Sequence, residues 1–390
     1  MDVARKLFQV PGQFAMYRGG SLERPVIAYE TWGRLNARRD NAILIFTGMS
    51  PSAHAASSPE DPSPGWWEPM VGPSRPIDTR RHFVICMNSL GSCFGSTGPA
   101  SIDQATGKPY GLSFPALSLE DVAEAGRLLV DHLGIGRLHA LIGPSMGGMT
   151  ALAFAIRNPG RARNLVLLST AARALPSAIA LRSLQREIIR SDPAWHDGNY
   201  TSNPVTGMRL ARKLGMITYR SAREWEQRFG RDRTASARPG GDTFGPDFEV
   251  ESYLENHANK FIDRFDANCY LYLSRASDLF DVAEHGAGQE ASVAAALARV
   301  RVERVLVVGV ASDTLFPIAQ QRELGAGLAA GGSDVKLVEL PSIQGHDSFL
   351  VDFDRFRPVV ASFLAERSAD HGLDFPLGNA RTDLVAGLYL

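Results

Sequence analysis

Cysteine is scarce in this 390-residue chain: Cys86, Cys93 and Cys269 are an odd number with no CxxC spacing. A disulfide framework or a cysteine-built zinc site is therefore not expected. An excess of charge of either sign is also missing. The 41 Lys and Arg against 42 Asp and Glu leave a formal charge of −1, so no overall field draws the chain to nucleic acid or to an anionic membrane. A run of about 18 apolar residues is absent too, which removes a helical membrane span. Met1 to Val10 carries two basic side chains with no apolar stretch behind them, unlike a secretory leader. The expectation is a cytoplasmic protein whose partners are small molecules.

What is present is a globular composition, 44% hydrophobic and 21% charged, able to bury a substantial core. Short apolar runs rich in Val, Ile and Leu occur at Ala42 to Phe46, Phe83 to Met87, Leu138 to Ile142, Leu165 to Leu168, Val302 to Val310 and Val335 to Leu340. Runs without polar alternation suit strands buried on both faces of a mainly parallel sheet. Between the second and third, Ser118 to Leu133 has apolar residues at helical spacing, opened by a Ser118/Asp121 capping signal. From about Ala172 to Leu297 the strand runs stop and helical periodicity takes over, with a polar, Gly-rich break at Arg231 to Pro246. The simplest organisation is an α/β core in two parts, 1–171 and 298–390, with residues 172–297 inserted as a helical lid. The proline-rich segment Ser50 to Arg75 reads as a long loop beside the first strands.

Gly143-Pro144-Ser145-Met146-Gly147 directly follows one apolar run and precedes the helical stretch Met149 to Ile156. A bare GxSxG pattern is weak. Its place between strand and helix is what a nucleophile elbow demands, a tight turn that holds a serine hydroxyl above the sheet. Serine is a poor nucleophile at neutral pH without a base to take its proton and a third group to orient that base. Asp313 follows the strand run ending at Val310, and His346 follows the next one. Ser145, Asp313 and His346 thus form a candidate triad, with both partners on loops leaving the C-terminal ends of strands. The amides of Met146 and of Met49, in the loop after Ala42 to Phe46, are the candidate oxyanion donors. No histidine has metal-ligand spacing such as HExxH, so no metal is expected.

With these residues the sequence resembles the homoserine O-acyltransferase family of α/β-hydrolase-fold enzymes. The resemblance runs over nearly the whole chain and rests on Gly95-Ser96-Thr97-Gly98-Pro99, Gly107-Lys108-Pro109-Tyr110-Gly111, the Ser145 motif extended to Gly148-Met149, Gly215-Met216-Ile217-Thr218-Tyr219-Arg220-Ser221, the stretch Arg264 to Leu273, and Gly345-His346-Asp347-Ser348-Phe349-Leu350. It implies an α/β-hydrolase fold and a two-step acyl transfer from an acyl-CoA to an amino-acid hydroxyl, with acyl-CoA as co-substrate and no bound cofactor. It further implies a homodimer, the same triad, and Arg220 and Asp347 as holders of the amino acid. Those roles are chemically apt, because a zwitterion needs a cation for its carboxylate and an anion for its ammonium.

The sequence departs from the family at two points. Homoserine acetyltransferases usually carry a His-Ala-Leu-Thr-Gly-type loop after the early strand. Here Gly48, Met49, Ser50 and Pro51 stand there, similar to relatives that act on L-serine with succinyl-CoA. A proline stiffens the loop and changes which hydroxyl reaches Ser145. Members that use succinyl-CoA look to recruit an arginine near the acyl pocket, sometimes two residues after the triad aspartate. Leu315 occupies that position here. Arg182 is the expected substitute, placed at the border of an apolar stripe Leu181, Leu184, Ile188, with Arg186 and Arg190 farther round the polar face. The expected activity is succinyl transfer to L-serine for cysteine synthesis. Homoserine acetyl or succinyl transfer is the alternative within the class. A serine esterase, or a binding protein that has lost catalysis, are the alternatives outside it.

Overall fold

A computed structural model describes residues 4–234, 244–262, 264–286 and 291–366. The Gly-rich break expected at 231–246 falls largely on 235–243, and the end of the last core segment on 367–390. Both lie outside the described residues. The core is a sheet of eight strands. In order across the sheet they are Lys6–Gln9, Val26–Trp32, Phe83–Met87, Ala42–Phe46, Leu138–Pro144, Ala162–Leu168, Arg304–Val310 and Asp334–Leu340. From Phe83–Met87 onward every neighbouring pair is parallel, while the first two strands join antiparallel at one edge. The apolar runs anticipated the six parallel strands. The two antiparallel strands were not anticipated, because Lys6–Gln9 is mostly exposed and Val26–Trp32 carries a buried Glu30.

Unbroken hydrophobicity serves two cores at once. Leu44, Phe46, Ile85, Met87, Leu141, Leu165, Leu167, Val305 and Val307 point to one face. Their neighbours Ile43, Ile45, Val84, Cys86, Ile142, Val166, Leu168, Leu306 and Val308 point to the other, against Trp67, Phe356 and Phe363. The two-residue period of a strand makes this division automatic. Each such side chain contributes roughly 1.5–3 kcal/mol of burial, so the strands are the rigid base on which the loops above them are held.

The helix Leu119–His132 begins with a reciprocal capping box: the Asp121 amide donates to Ser118 Oγ at 3.3 Å and the Ser118 amide to Asp121 Oδ2 at 2.8 Å. Between Ala162–Leu168 and Arg304–Val310 the described elements are helical. Pro176–Ser191 packs on Val205–Tyr219 and on Ala267–Leu279, and Val205–Tyr219 packs on Glu249–Ile262. The short helix Val293–Leu297 instead packs on Ile318–Ala330 beside the sheet. Val205–Tyr219 also touches the turn Gly345–Asp347. No described helix is long and apolar enough to cross a membrane.

Candidate active site

Ser145 stands between the strand Leu138–Pro144 and the helix Met146–Arg157, with φ 54° and ψ −126°. This positive φ is unfavourable for a side-chain-bearing residue by roughly 1–3 kcal/mol. The surroundings hold it: the Ser145 amide donates to the Leu168 carbonyl at 2.9 Å, and Thr170 Oγ1 donates to the Ser145 carbonyl at 2.7 Å. The motif's glycines are required by close approach. A Cβ on Gly143 would lie 2.2 Å from the Gly147 carbonyl oxygen, and one on Gly147 would lie 2.2 Å from that of Phe46.

His346 Nε2 lies 2.8 Å from Ser145 Oγ, and His346 Nδ1 lies 2.8 Å from Asp313 Oδ2. The Asp313 carboxylate also accepts from the amides of Leu315 at 2.9 Å and Phe316 at 2.8 Å through Oδ1. With Asp313 accepting from Nδ1–H, the ring presents Nε2 as an acceptor to the serine hydroxyl. Both partners are buried. Phe316, Phe349 and Tyr219 surround the imidazole at ring-centroid distances of 5.2, 5.7 and 6.0 Å. Gly345, with φ 66°, lets the histidine loop sit against the lid, since a Cβ there would lie 2.7 Å from the Tyr219 carbonyl oxygen. Three residues remote in sequence therefore meet in one hydrogen-bonded chain.

Met146 is the first residue of its helix, so its amide has no intrahelical acceptor and the positive end of the helix dipole stands at Ser145. The loop that begins at Thr47 abuts this helix end: the missing Cβ of Gly147 also faces the Thr47 carbonyl oxygen at 2.9 Å. Met49 is half-buried in that loop. Asn88 Nδ2 donates to the Pro51 carbonyl at 3.4 Å and Trp66 Nε1 to that of Ser52 at 3.1 Å, fixing the far end of Gly48 to Pro51.

Arg220 ends the helix Val205–Tyr219, and its Nε lies 3.4 Å from Asp347 Oδ2. Its Nη1 donates to Glu224 Oε1 at 3.2 Å and to Gln344 Oε1 at 3.1 Å. Asp347 follows the catalytic histidine directly. Burial raises its carboxyl pKa above the ordinary aspartate value, against the opposing charges of Arg220, His346 and Arg212. The anticipated zwitterion holders are thus adjacent to the base, one from the lid and one from the core.

Arg182 requires a correction of setting. It is not at the border of an apolar stripe: Leu184 is exposed, and the buried face of Pro176–Ser191 is Ala178, Arg182, Gln185 and Ile189. Arg182 is 5% exposed, with Nε donating to Asp278 Oδ1 at 2.5 Å. Arg186 is not on a solvated face either, since its Nη1 donates to Asp278 Oδ2 at 2.6 Å and to Ser274 Oγ at 2.9 Å. Two guanidinium groups share one carboxylate, so the cluster keeps a formal surplus of positive charge. Arg182 Nη2 is buried without a hydrogen-bond partner among the described residues. Its charge acts on the phenols of Tyr219 and Tyr270, whose pKa values burial raises.

Two neighbours were assigned no role from the sequence. Tyr219 packs on the His346 imidazole. Arg212 stacks over Phe261, with Cζ 4.6 Å from the ring centroid, and also lies 5.9 Å from that of Tyr219. Both are placed by packing between lid helices, which no linear spacing reports. Among the described residues no three His, Cys, Asp or Glu side chains converge as metal ligands would.

Residues 41–353 match the alpha/beta hydrolase fold family. The chain is 57% identical over 370 residues to the serine O-succinyltransferase of Litchfieldella anticariensis, covering 94% of this chain and 100% of the relative. It is also 57% identical over 365 residues to the L-serine/homoserine O-acetyltransferase of Streptomyces lavendulae, covering 93% and 97%. Among solved structures it resembles homoserine O-acetyltransferase from Bacillus anthracis, at TM-score 0.85 and 28% identity over 94% of this chain and 98% of that one.

Proposed function

The chain belongs to the alpha/beta hydrolase fold family, and from that premise we propose that it is an O-acyltransferase that carries the succinyl group of succinyl-CoA to the hydroxyl of L-serine. One observation carries the reading beyond hydrolysis. Arg220 and Asp347 place a fixed cation and anion beside His346, a pairing suited to a zwitterionic acceptor. The relatives named for serine as acceptor support the choice of amino acid.

In the first half-reaction Ser145 Oγ attacks the thioester carbonyl carbon while His346 Nε2 takes its proton. Asp313 keeps the ring oriented and stabilises the imidazolium. The amides of Met146 and Met49 donate to the tetrahedral oxyanion. The carbon–sulfur bond then breaks, His346 returns the proton to the CoA thiolate, and the acyl group remains as an ester on Ser145. In the second half-reaction Arg220 holds the serine carboxylate and Asp347 its ammonium. His346 removes the hydroxyl proton, the hydroxyl oxygen attacks the ester, and the product leaves as Ser145 recovers its proton. The lid keeps water from the ester during the wait.

The donor choice rests on Arg182. A distal carboxylate is costly to bury without a cation, and the Arg182/Arg186/Asp278 cluster has a positive charge to spare behind Tyr219. Homoserine, one methylene longer, differs by only about 1–3 kcal/mol in such a site, so it is a slower second acceptor. Leu184, Val205, Leu210 and Ile217 expose apolar side chains on two lid helices, a surface that a second copy of the chain would cover in a homodimer. We place the enzyme in the cytoplasm, where acyl-CoA is available.

The test is a matrix of L-serine and L-homoserine against succinyl-CoA and acetyl-CoA, compared by kcat/KM. Serine with succinyl-CoA gives the highest value, with parallel double-reciprocal lines because CoA departs before the amino acid attacks. Release of free succinate at the same rate with and without serine would overturn the reading in favour of a hydrolase.

A further inference from the structure

The loop Gly48 to Pro51 leaves a fully buried strand at one end, and at the other it runs into His54. His54 is held twice. Its Nδ1 lies 2.9 Å from Glu30 Oε2, and its Nε2 lies 2.9 Å from the Ser63 carbonyl oxygen. A carbonyl oxygen and a carboxylate oxygen both accept, and Ser63 Oγ, 3.2 Å from Nε2, gives its proton to Asp61 Oδ1 at 2.7 Å, so both ring nitrogens donate and the ring is an imidazolium. Glu30 is itself buried on the strand Val26–Trp32. The cation therefore ties the loop's far end to the sheet by a charge-assisted bond. His54 also donates its amide to Ser52 Oγ at 3.2 Å, one residue from Pro51.

We propose that the Glu30/His54 ion pair is the positioning element that sets the acceptor loop, and with it the discrimination between L-serine and its homologue longer by one methylene. The inference rests on the acyl transfer to serine argued above. His54 touches no reacting atom in this account. It acts through the loop, whose other far-side anchors are the bonds from Asn88 and Trp66. A shift of the loop by a fraction of an ångström changes which acceptor length brings its hydroxyl to Ser145.

The charged and titratable groups facing His54 are Glu30 from the strand, Asp61 with Oδ2 at 3.8 Å from Nδ1, and Glu68, which closes the same loop on Ser57 and Gly65. Cys86 faces Glu30 from the neighbouring strand. Burial lowers the histidine pKa, but the bonds to Glu30 and Ser63 and the charges of Glu30 and Asp61 outweigh it and raise the value. A raised histidine pKa means that the pair is intact below the ordinary value of about 6.5 and is lost as pH rises through the raised value. Discrimination should follow the same course, strong below the ordinary histidine value and weaker above the raised one.

The experiment measures kcat/KM for L-serine and L-homoserine, with succinyl-CoA saturating, from acid to alkaline pH. Ionisations that act on both acceptors alike cancel in their ratio. In the wild type the serine-to-homoserine ratio falls with one titration whose midpoint lies above that of an ordinary histidine. In His54→Gln the ratio drops by about tenfold in the acidic range where the wild-type pair is intact, the scale of one methylene. It also becomes independent of pH, while the burst of CoA released by succinyl-CoA alone changes less than about threefold. Glu30→Gln keeps an acceptor but removes the charge, and it moves the midpoint down. An unchanged ratio in a His54→Gln enzyme that keeps its burst overturns the proposal, as does an unmoved midpoint in Glu30→Gln. Should His54→Gln fail to fold, the Glu30→Gln midpoint alone decides. Absence of any serine acylation by the wild type would instead refute the underlying function.

Discussion

Replacing Arg182 by alanine separates its two tasks. One is structural: its Nε donates to Asp278 Oδ1 at 2.5 Å inside the interface between Pro176–Ser191 and Ala267–Leu279. Breaking a buried pair by removing one partner costs about 3–5 kcal/mol when the remaining charge is left alone. Asp278 is not left alone, because Arg186 Nη1 stays at 2.6 Å from its other oxygen. The stability loss is therefore smaller, and it falls equally on both donors. The second task is specific to succinyl-CoA. Leaving its distal carboxylate desolvated and unpaired costs about 2–4 kcal/mol, which is a factor of about 30 to 900 in kcat/KM. Acetyl-CoA has no such carboxylate. The assay is the ratio of the two donors' kcat/KM, backed by single-turnover acylation of Ser145. Lysine at position 182 recovers part of the ratio, since it restores charge without the planar fork. Arg186→Gln leaves Arg182 alone with Asp278 and removes the cluster's surplus charge, so its donor ratio falls in the same direction. A comparable fall with both donors in Arg182→Ala would refute the reasoning, leaving Arg182 as a lid strut and the succinyl assignment dependent on the acceptor loop and the relatives.

Ser145→Ala abolishes transfer in a folded protein, and mass spectrometry after exposure to succinyl-CoA alone finds one acyl mass on the Ser145 peptide of the wild type and none on the variant. Replacing Gly48 to Pro51 by Ala-Leu-Thr-Gly moves the serine-to-homoserine ratio toward homoserine by about tenfold, one methylene's worth of discrimination, as read by paired kcat/KM values. The raised pKa of Asp347 predicts that its anion, and so its hold on the substrate ammonium, is lost as pH falls through that value. KM for L-serine should rise on acidification in the wild type and be high and flat in Asp347→Asn, while the acylation burst is compared at each pH to remove effects on the first half-reaction.

The parts of the site that sequence disclosed are those whose grammar is local. A serine between glycines at the end of an apolar run has few structural options, because a Cβ at Gly143 or Gly147 would lie 2.2 Å from a backbone oxygen. Asp313 and His346 were legible because each follows an apolar run whose strand direction fixes where its loop emerges. The setting of Arg182 was not. Hydropathy pointed to Leu181, Leu184 and Ile188 as the inner face, yet Leu184 lies outside and Arg182 inside, because the interior at that point is an ion-paired cluster completed by a residue 96 positions later. Periodicity assumes that buried means apolar. The antiparallel strand Val26–Trp32 escaped for the same reason, since Glu30 interrupts its apolar run and its partner His54 lies in a loop.

On the roles proposed for Arg220 and Asp347, acceptor binding is selective. The two face one another across 3.4 Å, and Arg220 holds Glu224 and Gln344 as well. That gap is long for a charge-assisted hydrogen bond, and burial keeps the Asp347 anion costly. A bound zwitterion brings an ammonium to Asp347 and a carboxylate to Arg220 at the same time, relieving a desolvated carboxylate on one side while occupying a guanidinium already oriented on the other. A molecule with only one of these charges relieves one half and leaves its own charge, or that of the enzyme, opposed by none. Water offers neither. Discrimination between an amino-acid hydroxyl and water therefore arises from charges that do not react, placed one residue from the histidine that does, and the acyl ester on Ser145 is released by the molecule whose binding first completes that exchange.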